Sequence, residues 1–168
     1  MKRKRILAMI LAVVSCLSLA VSASAANTVN RKATDFRDYD RTAWYAEAVS
    51  AAVDNGLLYG KSATVIDPNG DMTRAEMAAI INRSFGCYKA ADISQYKDVA
   101  KSKWYYKDVA MAVQMGTYNG RSASSMAPDA PISRQEAMTV VARALELDYD
   151  SYSKTDLSAF SDRSEISN

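Results

Sequence analysis

The sequence predicts an all-α chain of tandem helix–long loop–helix repeats. Three observations carry this. The chain aligns with itself at an offset of 60 residues without a gap, and residues 36–83 against 96–143 give 14 identities in 48 positions. Self-similarity at a fixed period marks a repeat architecture. Each copy also holds two stretches with apolar residues at helical spacing. The second stretch of each copy opens as a capping box, TRAE at 73–76 and SRQE at 133–136.

The first segment is expected to be removed. MKRKR is a basic lead, ILAMILAVV is apolar, and Ala23–Ala25 offers a small-residue cleavage signal before Ala26. The apolar run from Ile6 to Val21 is 16 residues, short of the roughly 20 a membrane-spanning helix needs. Residues 1–25 therefore read as a signal peptide, with no transmembrane segment after cleavage. A second reading of VVSC at Val13–Cys16 is a lipoprotein box; the apolar residues after Cys16 speak against it. Either way the protein is exported. Residues 26–34 are expected to form a mobile leader.

Repeat one covers 35–86. Thr42 is expected to cap a helix from about Ala43 to Asn55, with Tyr45, Val49, Ala52 and Val53 on one face and Gly56 as the stop. Repeat two, 95–146, repeats this with Ser102, Tyr105, Val109, Ala112, Val113 and Gly116. The second helices start at the caps Thr73 and Ser133, with Glu76 and Glu136 closing the boxes. Their apolar stripes are Met77, Ile80, Ile81 and Phe85, then Ala137, Val140, Val141, Ala144 and Leu145. Loops of 16 residues, 57–72 and 117–132, join the helices and are long for a compact domain. Gly60 and Gly120 are expected to supply positive φ there, and Pro68 and Pro128 to set the approach to the second helix. Polar linkers fall at 87–94 and 147–158. A third, truncated copy begins at 159–168, where Phe160 and Asp162 echo Phe36 and Asp38.

Composition narrows the function. There is no histidine, which excludes Ser-His-Asp and Cys-His catalysis and removes the commonest metal ligand. Cleavage before Ala26 leaves Cys87 as the sole cysteine, so no intramolecular disulfide forms; Cys87 reads as a small, half-buried packing residue. Loss of Lys2, Arg3, Lys4 and Arg5 turns 21 basic against 19 acidic residues into 17 against 19, a net charge of −2. That removes the electrostatic case for nucleic acid. DPNGD at 67–71 is not a calcium loop, because Met72 and Ala78 stand where glycine and glutamate belong. No carboxylate pair has the context of a glycosidase, and no catalytic set, cofactor or metal is indicated.

Arg74 and Arg134 are the informative residues. Each stands directly after a helix cap, where the helix dipole disfavours a cation. Either they are tolerated, solvated charges, or they face outward beside free helix N–H groups and hold a carboxylate with a bidentate fork. The second reading is preferred. It predicts that Arg→Ala weakens binding with little loss of stability. Asp38 and Asp98 either fix the turn before the first helix or face a ligand. Trp44 and Trp104 are either anchors packed on the neighbouring repeat or platforms for sugar stacking.

The set FRD, Trp44, Gly56…Gly60, Pro68 and TRAE, repeated as YKD, Trp104, Gly116…Gly120, Pro128 and SRQE, resembles the S-layer homology family. The resemblance covers about residues 36–146. It implies a pseudo-threefold helical assembly, here with an incomplete third repeat. It also implies noncovalent anchoring to the cell wall or cell surface through a secondary cell-wall polymer attached to peptidoglycan, often a pyruvylated glycan. Arg74, Arg134, Asp38, Asp98, Trp44, Trp104, Gly60 and Gly120 are the expected polymer-binding residues. The alternatives are a targeting module for a polysaccharide-acting enzyme whose catalytic domain lies beyond residue 168, or a helical-repeat scaffold for protein. Incomplete repeats are also expected to leave apolar edges that favour self-association.

Overall fold

The computed structural model describes residues 31–148 and 158–165. The expected signal peptide, leader residues 26–30, linker residues 149–157 and the last residues of the third copy, 166–168, lie outside the described residues. Four α-helices appear there: α1 (Ala46–Asp54), α2 (Arg74–Phe85), α3 (Tyr106–Gln114) and α4 (Arg134–Ala144). Single 3-10 turns stand at Ala33–Asp35 and Arg163–Glu165. The architecture is helical and built of tandem repeats, as the periodicity predicts.

The first helix of each repeat starts later than expected. Thr42 does not cap α1. Its N–H and hydroxyl both donate to Asp40 Oδ1, at 2.8 and 2.7 Å. That closes an Asx turn, in which a side-chain carboxylate holds the backbone two residues on. The chain then passes through i→i+3 turns, with the Ala46 N–H bonded to Ala43 O at 3.0 Å, before α1 begins behind Tyr45. Ser102 is likewise not a cap, and α3 begins behind Tyr105.

The second helices start as their boxes dictate. The Thr73 hydroxyl accepts from the Glu76 N–H at 3.2 Å and Glu76 Oε2 accepts from the Thr73 N–H at 2.9 Å. Ser133 and Glu136 repeat this at 3.1 and 2.9 Å. At the far end of α2, Gly86 takes the left-handed conformation. Sixty residues on, Glu146 is forced into it at φ 52°, an unfavourable region for a side-chain-bearing residue.

The core is shared between repeats. Ala75, Ala78 and Ile81 of α2 join one apolar cluster with Tyr105, which precedes α3, with Val109 and Ala112 of α3, and with Val140 and Ala144 of α4. Small residues along α2 let α3 approach closely. Of the expected α2 stripe Ile81 is buried and Met77 packs on the core, but the buried face also takes in Ala75, Ala78, Ala79 and Asn82, while Phe85 is exposed. Leu145 is exposed on α4 as well. Repeat one keeps a smaller cluster of Ala33, Phe36, Val53 and Ile66. Ala33 belongs to the expected mobile leader, so residues 31–34 are part of the fold. Arg31 reinforces this, lying 4.4 Å over the Phe36 ring and donating to Tyr59 O and Ala63 O. Phe160, which echoes Phe36, is exposed. Cys87 packs its sulfur against that of Met115, and burial raises its pKa, which fits a packing residue rather than a reactive thiolate.

Asp38 and Asp98 pin the long loops. Asp38 accepts from the Ile66 and Asp67 N–H groups at 3.0 and 2.7 Å. Asp98 accepts from Met126 and Ala127 at 2.9 and 2.7 Å, and from the Ser125 hydroxyl at 2.7 Å. The second amide in each pair belongs to a residue at positive φ, Asp67 at 58° and Ala127 at 52°. Each carboxylate therefore holds a strained residue just before the loop proline, 29 positions along the chain. Desolvation raises the pKa of Asp98, but the amide and hydroxyl hydrogen bonds outweigh it and hold it below its ordinary value of 3.8.

A carboxylate depressed in the folded state adds stability that is full above its unfolded pKa and is lost as pH falls through the folded value. Melts should therefore show stability declining as pH drops below about 4. Asp98→Asn should lose about 1–2 kcal/mol at pH 7, a value reduced for solvent screening, and should show a shallower acid limb. An unchanged acid limb would rule out this role for Asp98.

Candidate functional site

The expectation of an outward arginine beside free helix amides does not hold for α2. Arg74 is 5% exposed and reaches into repeat two. Its Nε donates to Met126 O at 3.0 Å, one terminal nitrogen pairs with Glu136 Oε1 at 2.8 Å, and the other donates to Asn119 O at 3.2 Å. The guanidinium also lies 5.3 Å from the Tyr118 ring centroid. The first amides of α2 are used as well: the Arg74 N–H donates to Ala130 O and the Ala75 N–H to Pro128 O, at 3.0 and 2.9 Å. The Ile132 N–H returns a bond to Met72 O at 2.9 Å. Arg74 is a latch between repeats. Arg134 occupies the equivalent position on α4 and is exposed.

A groove of about 270 Å³ opens where Arg74 meets repeat two. Arg121 and Arg143 line it with Arg74, and Glu136 is the facing carboxylate. Arg121 bonds Glu136 at 3.2 Å while its side chain stays 46% exposed. Glu136 is desolvated, which raises its pKa, but the Ser133 N–H bond and the charges of Arg74 and Arg121 bring it below the ordinary value. It stays ionised, so the groove carries three guanidiniums against one carboxylate. Tyr118 borders it with a buried hydroxyl that has no partner among the described residues, and burial raises its pKa strongly.

A second, larger cleft of about 540 Å³ lies over repeat one. It is lined by Tyr59, Lys61, Glu76 and Arg83, the offset counterparts of Asn119, Arg121, Glu136 and Arg143. Both tryptophans line it, one from each repeat. Trp44 is 93% exposed and Trp104 61%. Trp44 is therefore no packed anchor, whereas Trp104 keeps a partly covered indole at the cleft of the neighbouring repeat. Lys61 pairs with Glu76 Oε2 at 3.2 Å and donates to Asp71 O at 2.7 Å. Arg83 stacks 4.2 Å over the Tyr59 ring.

The structure brings Trp44, Trp104 and Gly60 to the larger cleft, and Arg74 and Gly120 to the inter-repeat groove. Asp38 and Asp98 line neither; their carboxylates are taken by loop amides. Gly60 has φ +80°, as expected, whereas Gly120 is not at positive φ. What both glycines share is crowding: a Cβ would meet Phe36 Cε1 at 2.5 Å or Tyr96 Cε1 at 2.4 Å. Arg121 and Arg143 line the groove although the motif does not point to them. A signal is present in the sequence all the same: Arg143 repeats Arg83, and a base follows the loop glycine in both copies.

Among the described residues no helix is long and apolar enough to cross a membrane, and no group of His, Cys, Asp and Glu is placed to hold a metal. The S-layer homology domain matches residues 35–78 and 95–138. The chain is 35% identical over 116 residues to the surface-layer 125 kDa protein of Lysinibacillus sphaericus, covering 67% of this chain and 10% of that protein. It is 28% identical over 145 residues to an endoglucanase of Bacillus sp. (strain KSM-635), 85% of this chain and 15% of the enzyme. It is 28% identical over 141 residues to a cell surface protein of Thermoanaerobacter kivui, 81% of this chain and 18% of that protein. The chain thus spans less than a fifth of the length of these relatives. With the motif, the offset and the inter-repeat latch in place, the chain belongs to the S-layer homology family, whose repeat is an anchoring rather than a catalytic module, and it is an exported cell-surface protein.

Proposed function

We propose that the two repeats anchor an exported protein noncovalently to the wall by binding a secondary cell-wall polymer, a pyruvylated glycan. The single observation that carries this is the excess of guanidinium in the inter-repeat groove: Arg74, Arg121 and Arg143 face one carboxylate. A carboxylate on the glycan matches that excess, because guanidinium binds carboxylate through parallel hydrogen bonds. Arg121 is the exposed contact and Arg74 supplies charge from behind it. Arg134, exposed at the equivalent helix start, offers the same chemistry at the far edge of repeat two. Residues 1–25 direct export and are removed before Ala26. Self-association through the exposed apolar side chains Met138 and Leu145 belongs to the same reading, and sedimentation measures it.

Purified chain should be retained on isolated wall sacculi and lost when the secondary polymer is stripped chemically. Arg121→Gln should weaken retention about tenfold, by loss of a charged hydrogen-bond donor, while the melting temperature holds. Equal retention on stripped sacculi would overturn polymer recognition. The endoglucanase relative shows the same repeats in an enzyme, and anchoring of such a passenger gives the same outcome in this assay.

A further inference from the structure

The chain holds three Asn-Gly pairs: Asn55-Gly56, Asn69-Gly70 and Asn119-Gly120. A glycine after asparagine puts no side chain in the way of its own amide nitrogen, so that nitrogen can reach the asparagine side chain. We propose that Asn119-Gly120 is a site of spontaneous deamidation, and that its acidic product loosens the anchor by filling the guanidinium groove. The second half rests on the reading of that groove as the wall-glycan site.

The chemistry needs only base and water. The Gly120 nitrogen loses its proton to solvent base and attacks Asn119 Cγ. An N–Cγ bond forms, the Cγ–Nδ2 bond breaks, and Nδ2 takes up a proton and leaves as ammonia. Water then opens the succinimide. Breaking the new N–Cγ bond gives aspartate. Breaking the original peptide bond gives isoaspartate, whose backbone is one methylene longer.

The attacking species is the amide anion, whose charge is shared with the oxygen of the same peptide group. Arg74 bonds that oxygen, donating to Asn119 O at 3.2 Å. The guanidinium is buried, so solvent screens its charge little, and it stabilises the anion where it forms. The amide itself is loosely held: the Gly120 N–H meets Tyr96 Oη at 3.3 Å, beyond the usual range for such a bond. The Asn119 side chain is exposed. Asn55 is the opposite case. Its Nδ2 donates to Ala51 O at 2.8 Å and the Gly56 N–H to Val53 O at 2.9 Å, and both bonds oppose ring closure. Asn69 stands between the two. The Gly70 N–H closes a turn on Asp67 O at 3.1 Å, and the flanking carboxylates of Asp67 and Asp71 disfavour an amide anion.

Asn119 lines the inter-repeat groove with Arg74, Arg121 and Arg143. Aspartate there adds a second carboxylate beside Glu136 and takes up charge that a glycan carboxylate would use. Isoaspartate turns the carbonyl that Arg74 holds into a free carboxylate. It also puts an extra methylene into the turn at Gly120, which is already crowded by Tyr96 Cε1 and the Ser122 and Ser125 carbonyls.

The exported chain is aged in mildly alkaline buffer, native and in urea, and peptide mapping by mass spectrometry follows conversion of amide to acid at each pair. Folding should slow Asn55 at least about threefold more than Asn119, the scale of one net hydrogen bond, with Asn69 between them. Tyr96→Phe removes the acceptor of the Gly120 N–H and should speed the native reaction at Asn119. Asn119→Asp, the product itself, should be retained on wall sacculi about fivefold more weakly than the parent, the upper end for an exposed charge contact. Asn119→Gln, whose longer side chain closes slowly, should keep after ageing the retention it has when fresh. Protection of Asn119 by folding as strong as that of Asn55 overturns the modification site. Retention of Asn119→Asp equal to that of the parent overturns its effect on the groove. If the fresh parent itself is not retained, the wall reading falls, and the peptide map still decides the modification.

Discussion

Arg74→Ala is expected to lower the stability of the chain by roughly 2–4 kcal/mol, while Arg134→Ala changes it by less than about 0.5 kcal/mol. The two residues occupy the same position in successive repeats, and sequence alone assigns them one role. The structure separates them. Arg74 is buried, pairs with Glu136, and serves the carbonyls of Met126 and Asn119. Truncation leaves those groups without their donor and opens a void beside Tyr118. Breaking a buried pair costs about 3–5 kcal/mol. Glu136 is partly exposed and keeps Arg121, which moves the value down. Arg74→Lys keeps the charge but not the fork, and is expected to fall between. Urea denaturation at constant m-value measures all three. The sequence-based expectation that Arg→Ala costs little stability therefore holds only for Arg134. A near-native midpoint for Arg74→Ala would refute the latch.

The contrast shows which parts of this protein are legible in its sequence. Capping boxes are local: Thr73 and Glu76 lie within one turn, and their spacing alone sets the geometry. The starts of α2 and α4 are therefore readable to the residue. The start of α1 is not, because Thr42 has two local partners to choose from. Asp40 Oδ1 outcompetes the helix amides. The helix α3 also starts late, although Ala100 stands where Asp40 does. Asp38 and Asp98 act 28 and 29 residues away. No periodicity encodes that reach; it appears only once the loop has folded back.

The tryptophans are ambiguous for a related reason. An indole beside a polar turn fits both an anchor and a platform, and only the neighbouring repeat decides. The helix pairs of the two repeats are not equivalent either. Val109 and Ala112 on α3 are covered by α2, whereas among the described residues no α-helix plays that part for α1, which packs on the turn at Ala33–Asp35. Identical motifs therefore have unequal surroundings. The charge excess beside Glu136 is a property of position in the array as well as of residue choice, since its third guanidinium comes from the preceding repeat.

Gly60→Ala is expected to be as damaging as loss of the latch, at roughly 3–4 kcal/mol, and Gly120→Ala somewhat less, at roughly 2–3 kcal/mol. The aromatic-x-Asp start of each repeat gives the reason. Its carboxylate holds the returning loop, and its ring lies against the loop glycine. A methyl at Gly60 would sit 2.5 Å from Phe36 Cε1 and 2.6 Å from Val65 O. At Gly120 it would sit 2.4 Å from Tyr96 Cε1 and 2.5 Å from Ser122 O. In each case one obstacle is backbone, so rotating the ring alone gives no relief. Gly60 adds a φ of +80°, which Gly120 lacks, and that left-handed geometry accounts for the larger value. Two other glycines are internal controls. Gly86 is at φ +65° with nothing within 4 Å of where a methyl would stand, so Gly86→Ala should cost only about 1 kcal/mol. Gly70 faces only the end of the Asp67 side chain, which can swing away, so Gly70→Ala should cost less still. Thermal melts of the four variants should rank Gly60→Ala as the most damaging, then Gly120→Ala, Gly86→Ala and Gly70→Ala. A Gly120→Ala variant as stable as Gly70→Ala would show that the ring does not hold the loop, and that the motif's aromatic has some other purpose.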